Sequence, residues 1–219
     1  IYELQEQVSS GIRINRPSVD PVNATRAAAL RSALAEVAQY EENAEEGLAL
    51  LGMTDAALDE ISDLMTGARE AALLGATDTA DAASRKALAA TVDQMLEALV
   101  RVGNTQRAGR FLFGGFKTTT TPFELNAAAP PPVTYNGDDG VMVFEVERSA
   151  AVEVNLSGEY LFNINSAAEP GLSDLFTTLT SLRDGLLAGD TVQIQDALLE
   201  IDEHMARTLS MRGEVGARA

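Results

Sequence analysis

Apolar and small residues step by three and four without interruption from Leu30 through Ala33, Val37, Tyr40, Ala44, Gly47, Leu51, Thr54, Leu58, Ile61, Met65, Ala68 and Ala72. So long a seam is a sustained heptad pattern and predicts one helix over residues 21 to 74. At 1.5 Å per residue it would be about 80 Å long, so the expected molecule is a rod. Asp20 is placed to cap the first turn and Pro21 to take the first helical position, where a missing N–H costs nothing. Upstream, Gly11, Asn15, Pro17 and Pro21 break any helix begun at Ile1. Downstream, Gly75 to Thr79 reads as a turn, with Asp78 or Thr79 capping a second helix whose seam is Leu88, Val92, Met95, Leu99, Val102 and Gln106. So short a connection makes an antiparallel hairpin, and Gly109 stands where a helix C-terminal glycine is expected.

Between Phe111 and Ile164 the period becomes two. Met142, Phe144 and Val146 alternate with Val143, Glu145 and Glu147, and Val152, Val154 and Leu156 with Glu153 and Asn155, which predicts half-buried strands. Asn136 to Gly140 is a turn signal, and Pro130 to Pro132 a stiff extended entry. Six of the seven Phe lie between Phe111 and Phe162, which assigns the aromatic core to this module. Helical spacing returns after Pro170 as Leu175, Leu179, Leu182 and Leu186, then beyond Gly189-Asp190 as Ile194, Leu198, Ile201, Met205 and Thr208. The expected class is mainly α with a β insertion (α+β). An elongated antiparallel helical bundle or coiled-coil rod, residues 1–110 and 166–219, carries a small antiparallel β domain, residues 111–165.

Composition sharpens this picture. Hydrophobic residues make up 46% of the chain but aromatics only 5%, which favours thin, closely packed helices. Sixteen Lys and Arg against 33 Asp and Glu give a net charge of −17, so nucleic acid is not an expected partner. No apolar run approaches the roughly 18 residues needed to cross a bilayer, so no membrane partner is expected. Cysteine is absent, which removes disulfides and thiolate chemistry together. Residues 32 to 68 carry nine acids and no base, and Asp184 to Glu203 carries six acids. A solvated helix face is the simpler reading. The alternative is an acidic surface met by basic ends, with Arg13, Arg16, Arg26 and Arg31 near one and Arg207, Arg212 and Arg218 near the other.

Catalysis finds little support. His204 is the only histidine, has no second histidine to complete a zinc pair, and is expected at the surface. Pairs such as Glu41/Glu45 and Asp59/Asp63 lie one turn apart, but 33 acids generate such pairs by chance. There is no nucleophile elbow, Walker or dinucleotide fingerprint, so no catalytic, cofactor or metal residue is assigned. Asn23-Ala24-Thr25 and Asn155-Leu156-Ser157 match the glycosylation pattern, too short to carry weight.

Three stretches together resemble one family. Leu4-Gln5-Glu6-Gln7-Val8-Ser9-Ser10-Gly11-Ile12-Arg13-Ile14-Asn15-Arg16-Pro17-Ser18-Val19-Asp20-Pro21 is similar to the N-terminal signature of bacterial flagellins and their junction relatives, with Val19 in place of the usual first acid. Asn104-Thr105-Gln106-Arg107-Ala108-Gly109-Arg110-Phe111-Leu112-Phe113-Gly114-Gly115-Phe116, with Pro122-Phe123 and Tyr135-Asn136-Gly137-Asp138, resembles the hook–filament junction branch of that family. Arg212-Gly213-Glu214-Val215-Gly216-Ala217-Arg218 resembles the stretch before the family's terminal helix.

The resemblance implies a non-enzymatic structural subunit without cofactors. It would be exported by the flagellar type III apparatus with a chaperone and assembled outside the cell as a ring, between the first hook-associated protein and flagellin. It marks Gly11, Arg13, Asn15, Arg16, Asp20, Pro21, Asn104, Gly109, Phe113, Gly115, Arg212 and Arg218 as assembly candidates. The sequence opens at Ile1 with no signal-peptide pattern, and the family's inner coiled-coil segments would precede Ile1 and follow Ala219. The expectation is an excised stretch, monomeric in solution. Flagellin itself is the nearest rival, and an acidic helical binding or signalling module the rival from another class.

Overall fold

A computed structural model describes residues 21–77, 80–126, 132–164 and 169–219. Gly11, Arg13, Asn15, Arg16 and Asp20, the expected caps Asp78 and Thr79, and Pro130 lie outside the described residues.

Helix α1 runs unbroken over Pro21–Gly75, with Pro21 as its first residue and the Pro21 carbonyl accepting from Thr25 Oγ1 at 2.8 Å. Helix α2 spans Ala82–Gly103 and is capped by Asp81, which accepts from Ser84 N at 2.7 Å. Strands β1 (Gln106–Arg107), β2 (Arg110–Phe111), β3 (Phe123–Leu125), β4 (Val133–Tyr135), β5 (Val143–Glu147) and β6 (Ala150–Glu153) follow, then α3 (Gly158–Leu161), α4 (Leu175–Ala188) and α5 (Thr191–Arg218). The class is the expected one, mainly helical with a small β insertion.

The β segment differs in detail from its expectation. Its strands form three separate two-stranded sheets, β1-β2, β3-β4 and β5-β6, and the first begins before Phe111. Gly109 therefore does not end a helix, because α2 stops at Gly103 with Asn104 as its cap. Ala108 and Gly109, with φ of 49° and 77°, form the two-residue turn joining β1 to β2, and Gln106 belongs to β1 rather than to the helical seam.

The described residues form two compact units, one within residues 21–45 and 145–151, the other within residues 46–144 and 152–219. In the second, successive helices run antiparallel. Gly75 approaches Leu88 while Gly67 approaches Met95. Arg69 pairs with Asp202 while Arg212 pairs with Asp55 and Asp59. Gln193 donates to the Ser181 carbonyl while Thr178 donates to Glu200. The core carries the predicted seams: Leu58, Ile61 and Met65 of α1, Val92 and Leu99 of α2, Leu179 and Leu182 of α4, and Ile194 and Ile201 of α5 are all buried. The aromatic cluster draws on more than the β segment. Phe123, Phe162 and Phe176 of α4 lie 4.8 to 5.4 Å apart by ring centroid, with Phe113 edge-on to Phe162 at 6.4 Å.

In the first unit, Asn43 Nδ2 donates to the Glu145 carbonyl at 2.8 Å, and Arg148 Nη2 donates to Glu36 at 2.7 Å. The Arg148 bond, helped by the Tyr40 hydroxyl, holds the Glu36 carboxyl below its usual range. The α1 seam changes character along its length. From Gly47 to Ala72 it is buried, whereas Leu30, Ala33 and Val37 are exposed. Heptad spacing reports an amphipathic face, not which partner covers it.

Candidate assembly surface

The family-motif residues of the middle of the chain converge on one internal knot. At the end of α2, Asn104 Nδ2 donates to the Phe123 carbonyl at 2.8 Å, and Phe123 N donates to Asn104 Oδ1 at 3.0 Å. The helix cap is thereby tied to β3 as a strand neighbour would be, and Phe123 is held in the aromatic cluster. Phe113 is fully buried beside it. Beyond Phe113 the chain turns at Gly115, with φ of +64° and no room for a side chain: a Cβ there would lie 2.1 Å from Asp138 Oδ1. That oxygen accepts from Phe116 N at 2.6 Å and from Gly140 N at 3.0 Å. The Tyr135 hydroxyl lies 3.0 Å from the Phe113 carbonyl and 2.9 Å from that of Asp138, sharing one proton between two acceptors. Burial pushes its pKa up to about 12.

The cations of α5 are engaged within the chain. Arg212 reaches Asp55 at 3.1 Å and Asp59 at 2.5 Å, Arg218 pairs with Glu153 at 3.0 Å, and Arg207 Nη2 donates to the Tyr160 carbonyl at 2.8 Å. The basic charge read at that end thus meets acids and a carbonyl of the same unit. Of the acidic pairs, Asp59 is bound by Arg212 while Glu41 and Glu45 are exposed on α1. Among the described residues, no cluster of three or more metal-ligating side chains occurs.

His204 corrects the expectation of a surface histidine: it is 1% exposed. It lies on the buried line of α5 with Ala197, Ile201, Thr208, Met211 and Val215. Its Nε2–H donates to the Ser173 carbonyl at 3.1 Å, and Ser173 Oγ in turn donates to Glu200 at 2.9 Å. Burial, with Arg207 one turn away, pushes its pKa down to about 4, against the favourable Ser173 bond. Asn155 is also buried. Its Nδ2 donates to the Gly140 carbonyl at 2.9 Å and its Oδ1 accepts from Met142 N at 2.7 Å, so the amide is engaged rather than presented to solvent.

Pro21, Asn104, Gly109, Phe113, Gly115, Arg212 and Arg218 thus have defined structural places, and the structure brings Asn104, Phe113 and Gly115 together. Asp138, Asn155 and His204 carry more of the architecture than their sequence context suggested. The three-four spacing that runs through Ile201, Thr208 and Val215 includes His204 and was the available signal for it.

The arrangement is one of long antiparallel helices closed by a motif-rich β knot. The bacterial flagellin N-terminal helical region matches residues 1–118, more than half of the chain, and the chain belongs to that family. Over 99% of its length it is 25% identical to flagellar hook-associated protein 3 of Salmonella typhimurium, and over 92% it is 26% identical to the Escherichia coli protein of the same name. It spans 72% and 62% of the lengths of those two relatives. A solved structure of a putative flagellar hook-associated protein from Vibrio parahaemolyticus shares the fold, with a TM-score of 0.80 at 22% identity over 93% of this chain and 89% of that one. The chain is a structural protein of the bacterial flagellum, of the hook-associated protein 3 type.

Proposed function

We propose that this chain works at the junction between hook and filament as an adaptor. Its copies form a ring that seats on the first hook-associated protein and receives flagellin on the other side. The observation that supports this is the likeness to hook-associated protein 3 along 99% of the chain. In this role the antiparallel helices supply stiffness and axial contacts, and residues 111–165 the outer surface. Gly11, Arg13, Asn15, Arg16, Asp20 and Pro21 are the motif residues left for contacts between subunits, since Asn104, Phe113 and Gly115 serve the internal knot. The protein is not an enzyme. It leaves the cell unfolded through the type III export apparatus, with a chaperone, and folds outside; a chain without cysteine suits that passage.

Residues 1–219 alone are expected to be monomeric at micromolar concentration, and a stable ring in sedimentation would contradict this. The placement is tested by labelling whole flagella with an antibody raised against residues 1–219. A narrow band at the hook–filament boundary supports the reading. Label along the whole shaft overturns it and makes the chain a flagellin.

A further inference from the structure

Asn136-Gly137 is the one Asn-Gly pair in the sequence, and Asp139-Gly140 and Asp184-Gly185 are its Asp-Gly pairs. Each pair has the atoms to close a five-membered imide, because a glycine carries no Cβ to shield its nitrogen. The structure separates them. Gly185 lies inside α4, where its N–H belongs to the helix, and Gly140 N donates to Asp138 Oδ1 at 3.0 Å. Gly137 N has no hydrogen-bond partner among the described residues, and neither has the Asn136 carboxamide. Both residues are half-buried, within reach of water. The Asn136 backbone is held on both sides: its N–H donates to the Pro122 carbonyl at 2.7 Å, and its carbonyl accepts from Lys117 Nζ at 3.5 Å. Lys117 Nζ also donates to the Gly137 carbonyl at 3.1 Å. A Cβ on Gly137 would lie 2.3 Å from Tyr135 Oη, so the fold itself keeps a glycine after Asn136.

We infer that Asn136 is a site of spontaneous deamidation to isoaspartate, promoted by Lys117. Gly137 N gives up its proton to solvent and attacks Asn136 Cγ. The Cγ–Nδ2 bond breaks, ammonia leaves with a proton taken from water, and a succinimide ring remains. Water then adds at one of the two ring carbonyls and breaks the bond from that carbon to Gly137 N. Nothing is oxidised or reduced. Lys117 acts twice. Its ammonium on the Asn136 carbonyl stabilises the negative charge that spreads over that peptide group when Gly137 N is deprotonated. In the ring it polarises the same carbonyl. Water attacking there frees the Asn136 α-carboxylate beside the ammonium and leaves the chain running through Cβ and Cγ, which is isoaspartate. The product lengthens the backbone by one carbon between Tyr135 and Asp138, whose hydroxyl-to-carbonyl bond of 2.9 Å closes the turn, so conversion loosens the knot. The inference stands apart from the ring and junction readings.

The test ages the chain in mildly alkaline buffer, folded or in urea, cleaves it with pepsin in acid and reads it by mass spectrometry with electron-transfer fragmentation, which separates isoaspartate from aspartate. In the folded chain conversion should concentrate at Asn136, with isoaspartate as the main product and Asp139 and Asp184 unchanged. Lys117→Gln should slow folded conversion about fivefold, the effect of one charge at about 4 Å in water, and lower the isoaspartate share. Lys117→Arg should restore both. In urea, where the fold no longer brings Lys117 to Asn136, all three chains should convert at one rate. Folded conversion no faster at Asn136 than at the exposed Asn126 overturns the inference, as does aspartate as the main product. So does a Lys117→Gln effect that is absent in the folded chain, persists in urea or is not rescued by arginine. Ageing should also lower the urea midpoint of the wild type more than that of Asn136→Gln, whose longer side chain closes the ring poorly. Equal losses overturn the loosening of the knot.

Discussion

Gly115 and Asp138 occupy one space: the position a Gly115 side chain would take is 2.1 Å from the Asp138 carboxylate oxygen. That oxygen already holds Phe116 N and Gly140 N, so the turn after Phe113 and the turn after Tyr135 are one structure built from two distant stretches. Gly115→Ala is expected to destabilise the chain by about 2–3 kcal/mol, from a strained positive φ plus displacement of Asp138. Urea denaturation followed by circular dichroism measures it, and an unchanged midpoint would show that the turn can move away.

Asn104 acts where helix geometry runs out. Replacing it with Ala removes both bonds to the Phe123 backbone and leaves a half-buried N–H and C=O without partners, at a cost of about 2–3 kcal/mol. Asn104→Asp keeps the acceptor for Phe123 N but sets a carboxylate oxygen against the Phe123 carbonyl, so its midpoint should fall between those of the Ala variant and the wild type. Equal midpoints for all three would remove this cap from the account of the knot.

The helices were legible because burial repeats. Ile61, Leu99, Leu182 and Ile201 each sit on a three-four pattern that one buried face imposes, and the structure buries all of them. The exposed end of the α1 seam was not legible, because Leu30 and Leu58 obey the same spacing whether or not a neighbour covers them. The β segment was read as one module because alternation fixes which way a side chain points and says nothing of which strand lies beside it. Gly109 was misplaced because a glycine serves a helix end and a hairpin turn alike, through the same positive φ. The Gly115–Asp138 coupling had no local signal at all, since a contact between residues so far apart leaves no period in the sequence.

Arg212 lies between Asp55 and Asp59 and joins α5 to α1. Arg212→Glu would place three acids together on the surface of an already acidic chain, so the melting temperature should fall. The same argument limits the effect, because the side chains are partly exposed and salt screens them. Raising the ionic strength towards about 1 M, where screening acts over about 3 Å, should bring variant and wild type closer together in a thermal melt. A gap that ignores salt would mean that Arg212 acts through packing of its stem instead of its charge.

His204 makes the fold sensitive to acid in a calculable direction. In the folded chain its pKa lies at about 4, below the 6.5 of an unperturbed histidine, because burial penalises the imidazolium. The unfolded chain therefore binds a proton first as pH falls. The contribution of the neutral ring is fully present above about pH 6.5 and is lost progressively towards pH 4. By pH 5 the loss is about 2 kcal/mol, and the whole shift corresponds to about 3 kcal/mol. His204→Gln does not titrate and keeps a donor for the Ser173 carbonyl, so it should flatten this limb while leaving neutral-pH stability closer to wild type than His204→Ala does. Urea midpoints of the three proteins at intervals from pH 7.5 to pH 4.5 decide the matter. If the wild type and His204→Gln lose stability in parallel, the acid sensitivity belongs to the carboxylates and His204 plays no part in it.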